Sequence, residues 1–349
     1  MSKNIGIVTY HDGFNFGAYL QVYALCMLIK KIGFYPVVIN YKNKKLRKNE
    51  YRCLFGTKRP FLFIKHIFKL YAFKKAHKLL NLGEFTTNPK RFSDSHYDAI
   101  IYGSDEIWNY NNPLLGIDFF YFGVGMQNTR KISYAPSCGT LSSETVFPSE
   151  IKNSLSSFCA ISSRDYNTRE ILKKNLNINS PVVLDPTFLY DFSSETFCCK
   201  ENNYILVYTT GFSRDEERLI KKIAKEKGKK LISVGYRNAF CDRNIIGIGP
   251  FEFLGYYASA DFVITSMFHG TIFALKAQKQ FIILVDSYRI NKLAYILDKL
   301  NIKDRVADTG NLRNKMNHYL DYKNINLVLD REIKKSFEFL SKSLNSVIL

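Results

Sequence analysis

Short apolar runs alternate along this chain with longer stretches whose apolar positions recur every three or four residues, the signature of strands interleaved with helices. Residues 5–9 read as a buried strand, 10–15 as a polar loop, 17–32 as a helix closed by Gly33, and 36–40 as a second strand. Strand, helix and strand at this spacing form a parallel unit. Further strands are expected at 98–102, 131–135 and 181–185, with a helix at about 148–158. A polar stretch at 191–203 interrupts the pattern. It then restarts, with strands at 204–208, 230–234, 261–264 and 281–285 between helices at 213–227, 251–258, 269–278 and 291–300, and a last helix at about 325–345. The expectation is α/β: two Rossmann-like parallel-sheet domains, 1–190 and 204–325, joined by 191–203 and facing across a cleft. Residues 326–349 are free to cross back onto the first domain.

In open parallel sheets ligands bind at the carboxyl ends of the strands, so the polar residues there are the candidates for chemistry. His11, Asp12, Asn15 and Gly17 follow the first strand on the ligand side, for an acceptor to contact. They do not form a G-x-G-x-x-G fingerprint, and no dinucleotide is inferred. Gly103-Ser104-Asp105-Glu106 follows the strand at 98–102; Asp105 could take a proton from a hydroxyl or only cap a helix. Trp108, the one tryptophan, could stack on a sugar ring or pack. Arg164 offers a planar fork for a carboxylate or phosphate, unless it pairs with Asp165. The run at 261–264 stops at Thr265-Ser266, residues able to cap the next helix. His269 then lies near a helix N-terminus, where free N–H groups favour anions, or it caps and packs.

With 50 Lys and Arg against 31 Asp and Glu the net charge is +19, which asks for an anionic partner. Much of the excess sits in one insertion: thirteen bases between Lys42 and Lys78 face the single acid Glu50. From 60 to 80, Phe61, Ile64, Phe68 and Tyr71 form a helical stripe with Lys65 and Lys69 beside it, as expected of a helix lying on an anionic membrane surface; Lys75 and Lys78 continue along the same face. No helix-turn-helix, zinc-finger or aromatic single-strand platform supports nucleic acid. No signal peptide or membrane-spanning run is visible, so the expected location is cytoplasmic, with peripheral contact at the inner face of the plasma membrane. Seven cysteines without ligand or framework spacing predict free thiols and no metal, with Cys138 packing rather than reacting.

An ordered set of blocks resembles the polysaccharide pyruvyl transferase family: Gly6-Ile7-Val8-Thr9 and Asn15-Phe16-Gly17-Ala18-Tyr19, Gly103-Ser104-Asp105-Glu106-Ile107-Trp108-Asn109, Ser133-Tyr134-Ala135-Pro136-Ser137, Ser162-Ser163-Arg164-Asp165, Asp185-Pro186-Thr187, and Ser266-Met267-Phe268-His269-Gly270-Thr271. The resemblance implies a GT-B-like arrangement and an enzyme that moves pyruvate from phosphoenolpyruvate onto two hydroxyls of one sugar, making a cyclic ketal and releasing phosphate. No cofactor is implied beyond this co-substrate. It further implies that Arg164 holds the donor's carboxylate or phosphate and that His269, with Ser266 and Gly270, contacts the phosphate. Arg289 or Lys292 stands where some members place a lysine. Asp105 is the candidate base, and Tyr134 and Trp108 join His11, Asp12, Asn15 and Gly17 on the acceptor side. Glu106, Phe16 and Met267-Phe268 depart from residues common in the family, the last removing a cation. The acceptor is expected on a polyprenyl diphosphate, as a unit of capsule, exopolysaccharide or cell wall. A nucleotide-sugar glycosyltransferase on the same architecture is the alternative.

Overall fold

The computed structural model describes residues 3–92, 96–126, 129–285 and 290–348. β1 (Asn4–Val8), α1 (Phe16–Ile32), β2 (Tyr35–Val38), α2 (Lys44–Phe55), α3 (Pro60–His77), β3 (Ala99–Tyr102) and β4 (Arg130–Ser133) make the first half, with α4 (Ser149–Ser156), α5 (Tyr166–Leu176) and α6 (Pro186–Leu189). The second half contains β5 (Tyr204–Tyr208), α7 (Arg214–Glu226), β6 (Lys230–Val234), β7 (Arg243–Ile245), α8 (Pro250–Ser259), β8 (Phe262–Thr265), α9 (Phe268–Lys276) and β9 (Gln280–Ile283). Helices Ala294–Lys299 and Tyr322–Ile348 follow.

Every strand pair is parallel, in the orders β2-β1-β3-β4 and β7-β6-β5-β8-β9. These are two doubly wound sheets, the second in the Rossmann order, in the expected GT-B-like arrangement. Their central strands read as unbroken apolar runs because helices cover both faces.

α1 fixes how the halves meet. Asn15 caps it by accepting from Ala18 N at 3.2 Å, and Gly33 ends it in the left-handed conformation with its N–H on the Ile29 and Lys30 carbonyls. Twelve of its seventeen residues are buried, so it packs on several sides at once. Phe16 stacks on Phe253 of α8 at 4.5 Å, and the Phe251 ring meets those of Tyr19 and Tyr23 edge-on at 5.9 and 5.1 Å. Each such pair adds about 1 kcal/mol beyond area burial, so the cleft floor is a welded aromatic seam. The C-terminal helix lies on the first sheet. There Ser336 Oγ accepts from Leu184 N at 2.9 Å and the Val347 carbonyl accepts from Arg130.

Several local expectations are corrected. Residues 181–185 contribute one bridge, Val182 to Ser163, because Pro186 starts a helical turn at once. The short strand β7 and the helices α2 and α5 went unforeseen. Thr265 and Ser266 do not cap α9: Met267 stands at its N-cap, the Thr265 hydroxyl accepts from Met267 N at 3.0 Å, and Ser266 Oγ is 2.6 Å from Thr209 Oγ1. Lys65 and Lys69 do not flank an outward stripe. They turn inward, Lys65 onto the Asn244 carbonyl and Lys69 onto that of Gly235.

Candidate functional site between the sheets

Each sheet order reverses once, between β1 and β3 in the first and between β5 and β8 in the second, and the loops leaving those strands part to form a crevice. The two crevices open onto one cavity of about 260 Å³. Asn15, Asp105 and Glu106 line it from the first sheet, Tyr208, Thr210, Ser266 and His269 from the second. The first turns of α1 and α9 both abut it, so two positive helix ends converge there.

Arg164 forms the cavity's buried cation. Its Nη1 lies 3.3 Å from Asp185 Oδ2 and 3.6 Å from Asp105 Oδ1, and its guanidinium sits 4.3 Å over the Phe268 ring. Its Nε is buried without a hydrogen-bond partner. Asp165 is not its mate, since that carboxylate caps α5 through Thr168 N and accepts from Ser137 Oγ at 2.6 Å. Burial alone would lower the Arg164 pKa, yet Asp105, Asp185 and Glu106 raise it and lock the charge.

Asp185 is the keystone that sequence reasoning left out of the site, although it closes an apolar run just as Asp105 does. It is fully buried. Its Oδ1 accepts from Thr187 N and Oγ1, and its Oδ2 from Ser104 Oγ at 2.9 Å, with His269 Nε2 at 3.6 Å. Burial would raise this carboxyl, but His269 and Arg164 overcome it and hold the group well below the usual carboxylate range. His269 Nε2 is buried without a hydrogen-bond partner and faces Asp185. The ring fits because residue 17 is glycine: a Cβ there would lie 2.2 Å from His269 Nδ1.

Asp105 is held at a φ of 74° with its own Oδ1 accepting from Glu106 N, so the loop aims this carboxylate at the cavity rather than at a helix. Glu106 pairs with Lys292; burial would raise the Glu106 pKa, and Lys292 and Arg164 bring it below its ordinary value. Three carboxylates thus face two cations, a sum of −1. An anion entering here must shift these pairs or carry in a proton.

Other expected site residues fall elsewhere. Trp108 and Tyr134 are fully buried: the indole N–H donates to the Tyr121 carbonyl at 3.1 Å beside Phe122, and the Tyr134 hydroxyl donates to the Leu184 carbonyl at 3.0 Å. Neither can meet a sugar. His11 and Asp12 line a separate small cavity with Lys42, Arg47 and Glu50; both His11 ring nitrogens already face partners, the Thr9 carbonyl and Asn40 Oδ1, and Asp12 pairs with Lys42. Gly17 and Gly270 serve packing. A Cβ at 270 would lie 2.1 Å from Thr265 Oγ1. Arg289 lies outside the described residues. Cys138 is buried, and burial pushes its thiol well above the ordinary range.

These features define a class, a two-domain parallel α/β protein that gathers an arginine, a histidine and two helix N-termini around one interdomain cavity. The chain belongs to the polysaccharide pyruvyl transferase family, whose model matches residues 15–288, so it is a transferase with a sugar acceptor. No curated protein matches it in sequence. Among solved structures it is similar to the Neisseria meningitidis UDP-GlcNAc 2-epimerase bound to UDP-GlcNAc, at 10% identity over 99% of this chain and 100% of that one, TM-score 0.49. It is also similar to the S. aureus MnaA co-structure with UDP, at 12% over 98% and 91%, TM-score 0.48. A third similar structure is the glycosyltransferase SnogD from Streptomyces nogalater, at 12% over 100% of both chains, TM-score 0.46.

Proposed function

We propose that the protein transfers pyruvate from phosphoenolpyruvate to two hydroxyls of a sugar, forming a cyclic ketal and releasing phosphate. One observation carries the reading: Arg164 and His269, contributed by different domains, meet Asp185 at the point where both sheets reverse. A small donor with a carboxylate and a phosphate needs a fixed fork and helix N-termini at once, and this cavity supplies both.

Arg164 takes the carboxylate, exchanging part of its contact with Asp105 for the ligand. That exchange frees Asp105 to accept the proton of the first sugar hydroxyl as its oxygen bonds to C2 of the donor. His269 delivers a proton to the methylene carbon, which becomes the methyl group. The second hydroxyl oxygen then bonds to C2 as the C2–O bond to phosphate breaks, and its proton leaves with the phosphate. Asp185 holds Arg164 and His269 in place throughout. Lys292, released from Glu106, and Ser266 assist with the phosphate. The acceptor enters along the Asn15 and Asp105 side, as a sugar carried on a polyprenyl diphosphate; the cationic insertion supports that carrier.

The test is to incubate the protein with phosphoenolpyruvate and a panel of polyprenyl-diphosphate sugars and follow phosphate and product mass. Phosphate release matched one to one by a ketal product supports the reading. Glycosyl transfer from a nucleotide sugar, with phosphoenolpyruvate inert, overturns it.

A further inference from the structure

Helix α3 has two unlike faces. Lys69, Phe73 and Ala76 are buried against the protein, whereas Phe61, Phe63, Ile64, Ile67, Phe68 and Tyr71 are between 41% and 71% exposed. At about 100° per residue these six and the exposed Lys74, Lys75 and Lys78 fall on one arc, apolar over the first turns and basic at the end. Lys58 and Arg59 frame the other end, and α2 exposes Lys44, Lys45, Arg47, Lys48 and Arg52 alongside. Glu50, the one acid of this region, is turned inward to accept from Phe14 N at 3.3 Å.

An aromatic strip framed by cations, with no exposed acid among them, complements an anionic and apolar boundary, where rings enter the acyl margin and ammonium groups meet headgroup phosphates. Its place in the fold matters too. Lys69 Nζ sits 4.8 Å over the Phe16 ring and donates to the Gly235 carbonyl beyond β6, while the Phe68 Cβ faces Gly247. α3 therefore spans both domains on the side of the strands' carboxyl ends. Asn15, next to Phe16, lines the cavity.

We propose that the outer face of α3 docks the protein on an anionic lipid bilayer, presenting the cleft to a membrane-held acceptor; the acceptor's part rests on the function proposed above, the docking surface does not. The helix lies in the interface rather than across it: among the described residues no helix is long and apolar enough to cross a membrane.

The experiment is co-sedimentation of the full chain with vesicles of phosphatidylcholine alone, or with about one third phosphatidylglycerol. Binding about tenfold or more in favour of the anionic vesicles, weakened by added salt, is expected. The triple variant Phe61→Ser/Ile64→Ser/Tyr71→Ser should lose about tenfold or more of that binding while keeping its melting temperature. Equal binding to both vesicles, or an unaffected triple variant, overturns the proposal. So does a wild-type dimer without lipid affinity that the variant dissolves, which would make the face an interface between copies. Stabilisation by phosphoenolpyruvate in vesicle-free solution reads the reaction separately, so either idea can fail alone.

Discussion

Two polar pockets sit at the carboxyl ends of the first sheet, and only one faces the second domain. The pocket of His11, Asp12, Lys42 and Glu50 is closed beneath the basic insertion, with little free volume; Lys42 pairs with Asp12 and both His11 ring nitrogens face partners, while Asp12 Oδ2, an acceptor, is buried without a hydrogen-bond partner. The pocket of Asp105, Arg164 and Asp185 opens toward β5 and β8, receives His269 from across the cleft, and keeps two buried nitrogens unpartnered, Arg164 Nε and His269 Nε2. Position after a strand is common to both. What separates them is the direction in which the loop turns and what lies opposite. A buried donor without a partner costs about 1–3 kcal/mol, and a site that binds ligands is where such a cost is tolerated.

Substitution can break this contrast. Arg164→Lys and His269→Gln should each lower turnover by about a hundredfold or more, roughly 2.7 kcal/mol of barrier. Lysine keeps the charge but loses the fork, so steady-state rates close to wild type in Arg164→Lys would remove bidentate binding from the account. Asp185→Asn comes next, with a drop in kcat of about tenfold or more and roughly 3 kcal/mol of stability, because buried Arg164 loses its counter-charge and His269 the carboxylate it faces. Thermal melts alongside kinetics separate the two effects.

Titration of Asp185 also has a sign. A carboxyl held below its unfolded value adds stability that is complete above about pH 4 and lost as pH falls through the folded value. Asp185 therefore stays ionised through neutral pH and is not the group that titrates in an acid limb near pH 6; a stability difference between wild type and Asp185→Asn that persists undiminished in strong acid would contradict the assignment. Smaller again is the Glu106 and Lys292 pair. A double-mutant cycle with Glu106→Gln and Lys292→Met should show a coupling of about 1 kcal/mol in donor affinity. Smallest in activity are the closed pocket and the buried aromatics. His11→Ala and Trp108→Phe should leave kcat/KM within about threefold while the melting temperature falls.

The sequence made the architecture legible because central parallel strands must be apolar on both faces, and runs such as 204–208 and 261–264 satisfy that without ambiguity. Arg164, His269 and Asp105 were legible as residues closing such runs. Trp108 was misplaced because its burial depends on the turn Phe119–Phe122, a separate element downstream, folding over it. Lys69 was misplaced for a related reason. Its ammonium finds a carbonyl and the faces of Phe16 and Tyr236, contacts supplied by other elements, and burial lowers its pKa to about 8. Periodicity locates a helix but does not say which neighbour will cover a given lysine. Asp185 was quoted in a motif yet left without a role, since nothing local shows that Arg164 and His269, from two domains, converge on it.

The central claim is that the Arg164, Asp185 and His269 cavity binds phosphoenolpyruvate. Titration calorimetry of the pure protein with phosphoenolpyruvate, beside Arg164→Lys and a set of nucleotide sugars, tests it most directly. The account predicts one site on the wild type and affinity about tenfold or more weaker in Arg164→Lys. Binding of a nucleotide sugar alone, or of phosphoenolpyruvate with undiminished affinity in Arg164→Lys, contradicts it.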